Sequence, residues 1–153
     1  MTPAIRVVPD PVLRRGCDPV RAFGPEIGAT AYGLLAAMYA AGGYGIAAPQ
    51  IGVTQRIIVI DVGWTSERKA PLVLVKPVAD WRSDVMVARR ESCLSIPGAV
   101  RRIARADGIR IAARDIWGRP VEHHATGPEA AILQHEIDHL DGVLMIDHPE
   151  APE

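Results

Sequence analysis

The hydrophobic positions along the chain change period twice, and each change marks a different kind of element. In GPEIGATAYGLLAAMYAAGG (24–43), apolar side chains recur at Ile27, Ala31, Leu34, Leu35 and Met38. That spacing predicts a helix with these five on its buried stripe. Pro25 suits a first-turn position, and Gly42 and Gly43 can end the helix. The period then shortens. RIIVIDV (56–62) and PLVLVKP (71–77) are β-branched runs that predict strands. SDVMVARRES predicts a further strand leading to Cys93. DGIRIAARD and RPVEHHA show partial alternation, with IWG as the turn between them. The helical period returns from about Gly127 to Leu140, with Pro128 near its start and Gly142 just past its end. The order is helix, many short strands, helix. It predicts an α+β domain rather than alternating βαβ units.

Composition narrows this picture only a little. A chain of 153 residues suggests a single domain, 1–153, with enough length for a real core. With one Phe, three Tyr and three Trp, that core must be mostly aliphatic. Seventeen Lys and Arg against eighteen Asp and Glu give a formal charge of −1, which predicts neither a nucleic acid nor an anionic membrane partner. Arg101, Arg102 and Arg105 cluster locally. A solvated strand edge is the expected reading, with an anionic ligand as the alternative. Cys17 and Cys93 are too few for a disulfide framework. Ile27 to Gln55 carries no charge over 29 residues, long enough to cross a bilayer. Gly42, Gly43, Gly45, Gly52 and Pro49 interrupt it, which predicts a buried helix followed by a glycine-rich loop. Arg6 and Asp10 stand where a secretory signal needs an apolar run. A soluble, cytoplasmic protein is expected.

Candidate chemistry lies in QHEIDHL (134–140). His135 and His139, four apart on a helix, share one face and can reach a single metal ion. Glu136 between them is placed to move protons beside that ion. Flanking Ile132, Leu133, Ile137 and Leu140 argue that the helix is largely buried, and buried histidines need partners. A catalytic metal usually takes three protein ligands. Downstream, Asp141, Asp147 and His148 do not fall at the spacings of the zincin families. Cys93 in ESCLSIPG is the better candidate, because a thiolate is a strong soft ligand. A small buried hydrophobe is the competing role for Cys93, as for Cys17. His123 and His124 lie in a polar segment and are read as non-ligands.

Three motifs in order, GYGIAAPQ (43–50), ESCLS (91–95) and HEIDH (135–139), resemble those of the peptide deformylase family. DPVLRR near the start, QRIIVIDV after the first motif and GVLMID near the end extend the resemblance over nearly the whole chain. The resemblance implies short antiparallel strands around a central C-terminal HExxH helix, plus one N-terminal helix. It implies Cys93, His135 and His139 as metal ligands, and Glu136 as the catalytic acid and base. Gln50 and the backbone N–H of Leu94 carry over as oxyanion donors. Gly43, Tyr44, Gly45, Glu91 and Ser92 carry over as substrate contacts. The implied substrate is the formylated N-terminus of a newly made polypeptide. The implied cofactor is one divalent ion, Fe2+ by resemblance, with Zn2+, Ni2+ or Co2+ suited to the same donors. The chain departs from the family at Ser92, where Gly is usual, at Tyr44, where a small aliphatic is often found, and at Lys76-Pro77, where Asn-Pro is common. These changes keep two other readings open: hydrolysis of a different formylated or acylated amine, and a non-enzymatic metal- or peptide-binding relative.

Overall fold

The computed structural model describes residues 2–153. Seven strands and two α-helices follow one another in the order α1 (Pro25–Ala40), β1 (Gly45–Ala47), β2 (Ile57–Ile60), β3 (Leu72–Arg82), β4 (Met86–Cys93), β5 (Ile96–Ala106), β6 (Gly108–Arg114), β7 (Pro120–Thr126) and α2 (Gly127–Leu140). Five strands form an antiparallel sheet in the order β1-β2-β3-β6-β7, and β4 and β5 form a separate hairpin. The α+β class follows from this order. β3 and β5, at 11 residues each, are longer than the short strands the sequence suggests.

The helices cover opposite faces of the larger sheet, and β2 shows why. Its side chains alternate, so Ile57 and Val59 meet Ile27, Leu34, Ala37 and Met38 of α1. Ile58 and Ile60 face the other way, onto Ala130, Leu133, Ile137 and Leu140 of α2. A strand buried on both faces reads as an unbroken apolar run, as IIVI does. Burying each such side chain stabilises the fold by about 1.5–3 kcal/mol before entropy is counted. The stripe of α1 differs from the expected one at two positions: Ala37 is buried and Leu35 only partly so. A third apolar cluster, with Leu13, Cys93, Ile103, Leu144 and Met145, joins the β4–β5 hairpin to both ends of the chain.

β3 is interrupted where Pro77 withholds an N–H from the ladder. The register shifts between Val75 and Val78, and Lys76 takes a positive φ of 54°. The run of arginines on β5 is not one solvated edge. The pleat puts Arg101, Ile103 and Arg105 on one face, and Arg105 is buried. Arg101 and Arg102 instead fasten the C-terminal tail, donating to the carbonyls of His148 and Pro152 at 3.0 Å each. Among the described residues, no helix is long and apolar enough to cross a membrane. The uncharged stretch divides into α1, the loop through Gly42 and Gly43, and the short strand β1.

Candidate active site

α2 positions most of the chemistry. It starts after Thr126 with Pro128 in its first turn and stops before Gly142, whose φ of 73° suits glycine. His135 and His139 lie one turn apart on the face turned toward β4, with ring centroids 5.1 Å apart. Cys93 enters from the end of β4, where the β4–β5 register shifts between Glu91 and Cys93. That irregularity directs the sulfur at the helix. Cys93 Sγ lies 3.4 Å from His139 Nε2. One donor atom from each of Cys93, His135 and His139 falls within 4.8 Å of the other two, and all three residues are buried.

These distances fit a small cation. A tetrahedral ion at about 2.3 Å from sulfur and about 2.0 Å from nitrogen separates those two donors by roughly 3.5 Å. The surroundings fit as well. The Nδ1–H of His135 donates to Glu91 at 2.8 Å, which leaves Nε2 for the cluster. Burial alone would strip a proton from that imidazole, but Glu136, the Cys93 sulfur and Glu91 outweigh it and push its pKa up to about 10. The pocket thus attracts positive charge, and a divalent cation can take the place of that proton. His139 is pushed down to about 3, by burial first and by the charges of His135 and Arg105 after it.

Behind His135 runs a chain of charges, buried at Arg105 and half-buried at Asp138 and His148. Arg105, 5 % exposed, holds both oxygens of Glu91 and also donates to Asp138 at 2.9 Å. His148 Nε2 lies 2.8 Å from the same Asp138 carboxylate. Glu91 was expected among the substrate contacts. Its carboxylate borders the cavity, but both oxygens are engaged by Arg105 and His135.

Glu136 sits beside the cluster. Burial, aided by the charges of Glu91 and Asp138, pushes its pKa up to about 7 against the pull of His135 and Arg105. Among the described residues its Oε1 has no hydrogen-bond partner. β1 presses close here: a Cβ on Gly45 would stand 2.9 Å from Glu136 Oε2 and 2.9 Å from Ile132 Cγ2. Gln50 is fixed from both ends. Its Oε1 accepts from Ala47 N at 2.9 Å, and its Nε2 donates to Ser95 Oγ at 3.0 Å and points to Cys93 Sγ at 3.8 Å. The Leu94 N–H, in the turn between β4 and β5, has no partner among the described residues.

These groups open into a cavity of about 490 Å³ between β1, β4 and α2. Every site residue selected from the sequence lines it except His139, which is buried. Ser92 is exposed at its mouth. His123 and His124 lie on β7, bonded to Glu129 and Glu122, and Asp141 and Asp147 pair with Arg56 and Arg14. Sequence reasoning read Arg105 as part of a solvated edge, and it passed over Ser95 and Trp64, whose indole donates to the carbonyl of Gly43 at 2.9 Å. Only Ser95 had a signal, its place inside ESCLS.

Residues 3–153 match the family described as polypeptide deformylase. The peptide deformylase of Alkalilimnicola ehrlichii is 44 % identical over 144 residues, covering 94 % of this chain and 80 % of that protein. Peptide deformylase 2 of Gloeobacter violaceus is 41 % identical over 147 residues, covering 96 % and 79 %. The crystal structure of peptide deformylase from Thermotoga maritima superposes with a TM-score of 0.92 at 36 % identity, covering 99 % of each chain.

Proposed function

The chain belongs to the polypeptide deformylase family, and from that premise we propose how its own residues carry out the reaction. As a peptide deformylase it is a metallohydrolase that removes the N-formyl group from newly made polypeptides. Residues 1–153 act as one catalytic domain. Cys93, His135 and His139 hold one divalent cation. The observation that carries this reading is the convergence of those three buried donors beside the unpartnered oxygen of Glu136. Ferrous iron is the expected ion by family, and zinc, nickel or cobalt would suit a sulfur and two imidazoles.

The cation's charge would acidify water and polarise the formyl carbonyl. Glu136 then acts twice. As a carboxylate it accepts a proton from the water attacking the formyl carbon, and it returns a proton to the amine as the C–N bond breaks. Burial raises the Glu136 carboxyl above the usual carboxylate range, and the charge of a bound cation would draw it back toward the carboxylate that accepts the first proton. The Gln50 amide proton that points to Cys93 Sγ turns, with the Leu94 N–H, to donate to the oxygen that gains charge. Gln50 is already oriented by Ala47 and Ser95, so this donation needs little reorganisation. Glu91 serves as a positioning residue, holding the His135 ring through Nδ1. The products are formate and a peptide with a free amine.

The test is release of the free amine from formyl-Met-Ala-Ser against acetyl-Met-Ala-Ser, with formate measured as the second product of the former. The expected result is release from the formyl peptide, lost on chelation and restored by adding a divalent ion. Metal-loaded protein that releases no formate from any formyl peptide would overturn the reading.

A further inference from the structure

The mouth of the cavity is charged on one side only. Of the charged residues lining it, Glu136 is buried and the Glu91 side chain is 8 % exposed, and both are committed to the chemistry described above. The other two are Arg89 and Arg90, successive residues of β4. Arg89 has one nitrogen on Asp107 at 2.7 Å, while its Nη1 is buried and without a partner among the described residues. The Arg90 side chain is 72 % exposed, and its one ion pair among the described residues is a 3.9 Å contact with Glu153, itself 89 % exposed. A loose pair of this kind holds the guanidinium weakly and leaves it open to another carboxylate.

Both arginines lie along the path of a peptide. β4 is bonded to β5 alone, and β1 ends the larger sheet, so each offers an unpaired edge to the cavity between them. An extended chain can pair with such edges as an added strand. With its formyl group at Cys93, it would run back along β4. Arg90 and Arg89 are three and four residues before Cys93, or about 10 and 13 Å at the rise of a strand. That is the level of roughly the second to fourth peptide residues. Because side chains alternate, consecutive arginines present charge to both faces of the added strand.

We infer that Arg89 and Arg90 select formyl peptides with aspartate or glutamate at the second to fourth positions. This inference rests on the formyl-peptide reading above. The decisive experiment compares formyl-Met-Ala-Ser-Ala with versions carrying Asp, Glu, Lys or Arg at positions two to four, using the metal-loaded full chain at low and high salt. Acidic peptides should show KM about three- to fivefold below their neutral counterparts and basic peptides a higher KM, with kcat little changed. The spread should shrink as salt screens it. Arg90→Glu should reverse the order of acidic and basic peptides. The same ranking should appear without turnover, as affinities of fluorescent deformylated peptides measured by anisotropy. Equal KM and equal affinity across charges would overturn the inference while leaving the hydrolase intact. Absent turnover would count against the formyl-peptide reading, and the anisotropy ranking would still decide on the arginines.

Discussion

Replacing Gly45 with alanine tests whether Glu136 must stand where the structure places it. Gly45 has no positive φ, so the substitution adds no backbone strain. The added methyl would lie 2.9 Å from Glu136 Oε2 and 2.9 Å from Ile132 Cγ2. Ordinary contacts are about 3.5–4.0 Å, so something must move by roughly 0.6–1 Å. β1 is held by its pairing with β2, and Ile132 is part of α2. The Glu136 carboxylate is the freest of these groups. Overpacking of this kind costs about 1–3 kcal/mol of stability. A misplacement near 1 Å in a catalytic group costs on the order of 10² in rate. Gly45→Ala should therefore lower kcat by about a hundredfold with metal content unchanged, because none of the three donors is touched. Gly43→Ala is the control. The three atoms nearest its methyl would all belong to the Leu94 side chain, Cδ1 at 2.8 Å, and that flexible tip can turn aside. A loss of a few-fold or less is expected there. Formate release and metal analysis on both purified variants decide the matter. A Gly45→Ala enzyme within about twofold of wild type would show that the position of Glu136 is not what limits the rate.

Other substitutions probe separate parts of the site. Glu136→Gln should keep the metal and lose about 10²–10⁴ in kcat, measured on metal-matched protein; loss of the ion instead would make Glu136 a ligand. Arg105→Met should leave Glu91 with only His135 and Asp138 with only His148 as partners and lower stability by about 3–5 kcal/mol, read as a drop in the urea midpoint. An unchanged midpoint would show that those carboxylates find other partners. Ser92→Gly should raise kcat/KM on formyl-Met peptides up to about tenfold if the side chain at the cavity mouth obstructs the peptide. A fall would mean that the Ser92 hydroxyl contacts the substrate.

The legible elements were those whose periodicity stood alone. α2 is bounded by Pro128 and Gly142 and repeats its apolar face without interruption, so its limits could be read directly. β2 announced itself because both its faces are buried. β5 did not, since Pro97 and Gly98 break its start and arginines occupy three of the five positions of RRIAR. The metal-ligand candidates were legible as motifs, whereas their support was not. Arg105, Asp138 and His148 form one ion-pair chain although they come from β5, α2 and the tail, and no local pattern links such distant positions. The cluster of arginines misled for the same reason: a pleated strand separates neighbours in sequence onto opposite faces, and only the fold shows which face is buried.

The central claim is that Cys93, His135 and His139 together hold the ion on which deformylation depends. The most direct measurement is metal per chain and formate release on the same samples of wild type, Cys93→Ser and Cys17→Ser. Cys17 is partly buried away from the cluster, and burial pushes its thiol up to about 11, so its loss should change neither quantity. Cys93→Ser should lose most of its metal and its activity together, because a neutral hydroxyl is a poor substitute for the sulfur. Equal metal content in wild type and Cys93→Ser would contradict the account.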